Sequence, residues 1–107
     1  MKGDRIGEFE ELTLLAVLAL GEPAYAVPVQ RFIEKQAGRA VSMGAVYAAL
    51  SRLENKGLLR STVGEATPQR GGKRKRLYEI TAEGTRALRE LREVRDKIWH
   101  TIEEQSR

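Results

Sequence analysis

Six basic side chains fall between positions 60 and 76: Arg60, Arg70, Lys73, Arg74, Lys75 and Arg76. One acid, Glu65, stands against them. Guanidinium and ammonium groups at this density suit a polyanion, either nucleic acid or an anionic membrane surface. Just upstream, Ser42, Gly44, Tyr47, Ala48, Ser51, Arg52 and Asn55 lie within a 14-residue stretch of helical character. Ser51 and Asn55 can hydrogen-bond to base edges or phosphates, and Gly44 and Ala48 let a helix backbone approach a groove floor. Taken singly, each feature also fits a bland reading: a solvated basic loop, and a surface helix capped by a serine.

The remaining composition narrows the chemistry. The chain has 107 residues and a net charge of +4, with seven bases and seven acids before position 60 and six bases against seven acids after position 76. The positive excess is therefore local. No cysteine is present, which excludes disulfides, thiol nucleophiles and thiolate metal sites. His100 is the single histidine, too few for a His-rich metal centre or a pair of imidazole acid–base groups. With no phosphate-cradling glycine motif after a strand and no clustered carboxylates, an enzyme is not expected, nor is a cofactor or metal. The longest apolar run, Leu14 to Leu20, is far short of the roughly 20 residues that span a membrane. Glu8, Glu10 and Glu11 before it are the wrong charge for a secretory leader, so a cytoplasmic protein is expected. The basic window also lacks apolar anchors for a membrane surface.

The elements that must hold these residues follow from periodicity and punctuation. From Glu8, Phe9, Leu12, Leu15, Ala16 and Ala19 recur at helical spacing, with Leu14, Val17, Leu18 and Leu20 on the other sides. This predicts a first helix buried on most faces and stopped at Gly21. Pro28 suits the first turn of a second helix running to about Ala37, with Gly38 after it. Ser42 is a candidate N-cap for a third helix, about Met43 to Lys56, with Val46, Ala49, Leu50 and Leu53 inward and Gly57 closing it. Leu58 to Val63 and Leu77 to Ile80 read as strands joined by a long turn-rich loop. Thr81 caps a last helix to about Glu104, in which Ala87, Leu91, Val94, Ile98 and Thr101 form a heptad seam.

Three helices, a hairpin and a helix give a mainly α fold with a small β-hairpin, a winged helix-turn-helix plus a C-terminal dimerisation helix. Residues 8–80 form the DNA-binding domain and 81–107 the dimerisation helix, as one structural unit. The third helix becomes the reading helix, its outward face Gly44, Ala48, Ser51 and Asn55, with Tyr47 and Arg52 on opposite flanks toward the phosphates. Its N-terminus at Ser42 offers free N–H groups. The basic wing (Arg70, Lys73, Arg74, Lys75) would neutralise phosphates beside it, which favours the nucleic-acid reading over the bland one.

The run from Ser42 to Leu59, SMGAVYAALSRLENKGLL, closely resembles the PadR family of bacterial transcriptional regulators. Leu14 to Gly21, the basic segment Arg70 to Tyr78, and Tyr78 to Gly84 agree with the same family, so the resemblance spans roughly residues 8–100. At the entry to the second helix the chain departs: Ala26 stands where a glycine is expected. The resemblance implies a repressor binding a pseudo-palindromic operator in double-stranded DNA as a homodimer. It places Tyr47, Ser51 and Arg52 at the DNA and the last helix, helped by the first, in the dimer. Independently, Leu91, Val94, Ile98, Trp99 and Ile102 are too many apolar groups for an unpartnered helix. Trp99 has two readings: packing in a dimer core, or stacking on a flat aromatic effector, as some small family members do. The arginines of the last helix interleave with acids and read as a solvated face, and His100 as a surface group. The alternative function is a winged-helix protein-interaction module without specific DNA binding; the position of the charge excess argues against it.

Overall fold

The structure is a computed structural model that describes residues 5–64 and 75–106. Its elements are α1 (Glu8–Leu20), α2 (Ala26–Ala37), α3 (Met43–Asn55), β1 (Leu59–Val63), β2 (Arg76–Ile80) and α4 (Ala82–Gln105). The order and kinds of element match the expected winged helix-turn-helix. Two boundaries differ in an instructive way. The second helix begins at Ala26, two residues before Pro28, because the missing N–H of a proline is harmless anywhere in the first turn. The second strand starts at Arg76, one residue early.

The core lies where α1, α2 and α3 meet over the hairpin. Leu14, Val29, Val46, Leu50 and Leu53 are fully buried there, joined by Val17, Ile33, Leu58, Leu59, Tyr78 and Leu88. The inward face of α3 is the expected one, Val46, Ala49, Leu50 and Leu53. The first helix is less enclosed than its composition predicts. Thr13, Leu14, Ala16 and Val17 are buried, but Leu15 and Leu18 remain exposed on the far side. Its four neighbours, α2, α3, β2 and α4, do not cover the whole circumference of the helix.

Local chemistry fixes each turn around α3. Gly38 takes the left-handed conformation at the end of α2. The turn that follows is held by Val41, whose N–H donates to Glu34 Oε2 at 2.9 Å and whose carbonyl accepts from Gln30 Nε2 at 2.7 Å. Ser42 then caps α3 as expected, accepting from Ala45 N–H at 3.1 Å. At the other end Gly57 N–H donates to the Glu54 carbonyl and Leu58 N–H to the Leu53 carbonyl, both at 3.0 Å. That paired closure needs a left-handed residue, and Gly57 has φ of 78°.

The hairpin pairs antiparallel with Leu59 opposite Ile80, Ser61 opposite Tyr78 and Val63 opposite Arg76. A third segment joins it: Ala24 and Tyr78 exchange both backbone hydrogen bonds at 2.9 Å. Sequence periodicity gave no sign of this single bridge, which draws the entry of α2 onto β2. The last helix starts against the closing turn of α3. Thr81 accepts from Gly84 N–H at 3.0 Å and donates to the Gly57 carbonyl at 2.8 Å. A Cβ on Gly84 would stand 2.3 Å from the Leu58 carbonyl oxygen. Further on, Arg95 grips Glu11 of α1 through two nitrogens at 2.6 and 3.3 Å. Arg95 thus stays on the expected solvated face, 58% exposed, but pairs across to α1, whereas Arg92 pairs with Asp96 on α4 itself.

Gly84→Ala is expected to destabilise the fold by about 1–3 kcal/mol, because backbone rather than a flexible side chain must yield. Gly44→Ala is the contrast: no atom lies within 4 Å of its Cβ position. It should be neutral or raise stability by up to about 1 kcal/mol through helix propensity. Urea denaturation followed by circular dichroism compares the two.

Candidate nucleic-acid interface

On α3, every residue expected on the outward face is exposed: Gly44, Ala48, Ser51 and Asn55, with Ser42 at the entry. The face carries no acid. Its one flanking carboxylate, Glu54, lies on the wing side and accepts from Ser61 Oγ at 2.6 Å. That hydroxyl in turn accepts from Arg76 at 3.0 Å. The carboxylate flanking this face is thereby engaged by the hairpin.

The two flanks of α3 are built differently. On one, Tyr47 is half exposed and lines a cavity of about 360 Å³ with Tyr25, Ala26, Val27, Lys75, Arg76 and Tyr78. The structure therefore brings together Tyr47 and Lys75, two of the residues expected at the interface. Lys75 Nζ stands 5.3 Å from the centre of the Tyr25 ring, within cation–π range. Tyr78 is almost wholly buried, and burial pushes its hydroxyl pKa up, partly offset by the nearby Arg76 charge. Arg70, Lys73 and Arg74, also expected to contact phosphate, lie outside the described residues.

On the other flank sits an arrangement that sequence reasoning missed. Glu10 of α1 is only 6% exposed. Its Oε2 accepts from Arg52 Nε at 2.7 Å, and its Oε1 accepts from Lys56 Nζ at 2.7 Å and from Gly7 N–H at 3.1 Å. Lys56 Nζ also donates to the Arg5 carbonyl at 2.5 Å. Burial opposes the carboxylate charge, but the hydrogen bonds from Lys56, Arg52 and Gly7 outweigh it and bring the carboxyl down to about 2. Arg52 is bound through Nε and its side chain stays 53% exposed. Arg52 thus does two things at once: it ties α3 to α1 and leaves part of its guanidinium at the surface. The available signal was an acid in the first turn of α1, which reads first as a helix-dipole partner. Nothing local indicates that it will meet residues some 40 positions away.

Of the residues expected in the dimer, Leu91 is half buried, and Val94, Ile98, Trp99 and Ile102 are exposed on the single chain, Trp99 by 60%. Of the described helices, none is long and apolar enough to cross a membrane. No cluster of potential metal ligands occurs among the described residues.

The chain matches the model of the transcriptional regulator PadR-like family over residues 14–90. It belongs to that family, a class of regulators rather than enzymes. Among solved structures it is similar to a PadR-like transcription factor from Bacteroides fragilis, 27% identical, covering 90% of this chain and 87% of that one at a TM-score of 0.73. A PadR family regulator from Eggerthella lenta is 29% identical, with 91% and 80% covered and a TM-score of 0.62. The structure of Bacillus subtilis PadR with operator DNA shares the fold at 15% identity, covering 78% of this chain and 45% of that one at a TM-score of 0.64. No curated protein sequence matches the chain.

The Glu10 cluster makes a pH prediction. Its folded pKa of about 2 lies below the ordinary 4.5. Its stabilisation is therefore complete above the ordinary value and is lost as pH falls toward the folded one. Glu10→Gln should cost about 1–3 kcal/mol at neutral pH and flatten the acid limb of the stability curve, read by denaturant melts at several pH values.

Proposed function

We propose that the protein is a sequence-specific DNA-binding transcriptional regulator acting as a homodimer in the cytoplasm, most simply a repressor that occupies an operator. One observation carries this reading. The acid-free outward face of α3 and the base of the basic hairpin lie on the same side of the molecule, meeting at Tyr47 and Lys75. The helix enters the major groove, with Ser51 and Asn55 toward base edges and Gly44 and Ala48 allowing close approach. Ser42, Tyr47, Arg52 and Lys75 bind the backbone, and Arg70, Lys73 and Arg74 extend that hold along the wing.

The dimer rests on α4. Val94, Ile98, Trp99 and Ile102 form an apolar strip on a helix that runs past the core; its last residue among the buried ones is Leu88. A second copy of α4 covers that strip, and Leu91 continues it toward the core. Residues 8–80 then act as the DNA-binding unit and 81–107 as the dimerisation helix. Two-fold symmetry turns one reading helix into two and gives a pseudo-palindromic site with half-sites about one helical turn apart, or a multiple of it. Trp99, at the centre of the strip, packs against the partner and is the place where a flat aromatic effector would stack.

Selection from random duplex DNA at near-physiological salt tests the reading. An enriched palindrome is expected. Salt-sensitive binding without enrichment would make the protein a non-specific coater, and no binding would favour a protein-interaction module. Ile98→Glu leaves the folded single chain intact, because the side chain is exposed there. It should yield monomers in sedimentation and lower operator affinity by more than about tenfold. Neutralising Lys73, Arg74 and Lys75 together should lower affinity for every sequence and flatten the log–log salt slope by about 0.9 per lost phosphate contact.

A further inference from the structure

The chain contains three tyrosines, and all three line one cavity. They come from three separate elements: Tyr25 caps the entry of α2, Tyr47 lies on α3, and Tyr78 sits in the middle of β2. The double hydrogen bond between Ala24 and Tyr78 sets Tyr25 beside the hairpin, and the closing bond of the strands, Gly64 N–H to the Lys75 carbonyl at 2.6 Å, fixes Lys75 above it. Lys75 and Arg76 add two cations to the same walls, and no carboxylate is among the lining residues. The nearest acid, Glu54, is engaged by Ser61. Ala26 and Val27, the first residues of α2, complete the cavity. Their amides begin a helix whose N-cap side chain makes no capping bond, and the positive end of that helix lies at the cavity wall.

Cations, phenolic hydroxyls and helix-terminal amides with no acid among them are the chemistry of a phosphate site. Position identifies the source. The cavity opens between Tyr47, at the flank of the reading face, and the base of the wing. In the DNA-bound arrangement proposed above, a strand bordering the groove that α3 occupies would pass between those two features. Its volume exceeds that of a phosphate alone and admits the adjoining sugar.

We infer that the cavity walled by Tyr25, Tyr47, Tyr78, Lys75 and Arg76 clamps one backbone phosphodiester in each operator half-site. The inference rests on the DNA-binding reading above. It adds Tyr25, to which the sequence pattern gave no such role, and picks out Arg76 from the basic window as a specific contact. The clamp sets the register of α3 in the groove from the wing side, while Arg52 does so from the α1 side.

Duplexes carrying a single neutral methylphosphonate, stepped along the backbone of the selected site, test this with the full chain. For the unaltered protein, one position per half-site should weaken binding about tenfold, the scale of one charge-assisted hydrogen bond. Arg76→Gln and Tyr25→Ala, both at exposed positions, should bind the natural duplex about tenfold more weakly and lose sensitivity to that one position. Losses that simply add at every position would overturn the clamp while leaving DNA binding established. Failure of the unaltered chain to bind any duplex would instead overturn the DNA reading and the clamp with it. Titration with inorganic phosphate alone should show no binding at millimolar concentration; tight binding would assign the cavity to a free anion and overturn the DNA assignment.

Discussion

A buried carboxylate decides where α3 sits. Glu10 is taken out of water in the first turn of α1, and such a charge is tolerated only when paired and hydrogen-bonded. Its partners are Arg52 in the last turn of α3 and Lys56 at its C-cap. Apolar packing alone would let α3 slide or roll by a fraction of a turn at modest cost, since the facing side chains are aliphatic. The ion pairs forbid that, because either movement would strand a charge. They also fix which part of Arg52 remains outside, binding Nε and leaving the rest of the guanidinium at the flank. Fold stability and the presentation of a surface cation thus depend on the same contact.

Around that anchor the other elements are placed by short, specific contacts. Val41 is held from both sides by Gln30 and Glu34, so the turn into α3 has one geometry. Gly57 turns the chain from α3 into the hairpin, and Gly84 lets α4 start against that turn at a distance no side chain permits. The bridge between Ala24 and Tyr78 brings the entry of α2 to the hairpin and so creates the tyrosine-lined cavity. The resulting molecule offers a small, polar helix face between two differently built walls: an ion-paired one toward α1 and an aromatic, cationic one toward the wing.

Much of this was legible in the sequence, for reasons that can be stated. The α3 boundaries followed from Ser42 and Gly57, since caps act on neighbouring amides and carbonyls. The buried face of α3 followed from periodicity, and α4's unpartnered apolar strip from counting residues beyond the core. The family resemblance rested on a contiguous run and agreed with the family match. What escaped were contacts between residues distant in the chain. Glu10 with Arg52, Glu11 with Arg95, and the gathering of Tyr25, Tyr47 and Tyr78 are products of topology, which spacing does not encode. The exposure of Leu15 and Leu18 escaped for the opposite reason. Composition counts apolar residues without knowing how many neighbours a helix will have.

In the proposed complex α3 lies in the major groove, in two copies related by a dyad. Dimethyl sulfate protection on the selected duplex examines this most directly, because it reports guanine N7 atoms, which open only into the major groove. Two clusters of protected guanines are expected, with centres about one helical turn or a multiple of it apart, on the same face of the DNA. Unprotected guanine N7 atoms throughout a bound site, or a single cluster without its symmetry mate, would contradict it.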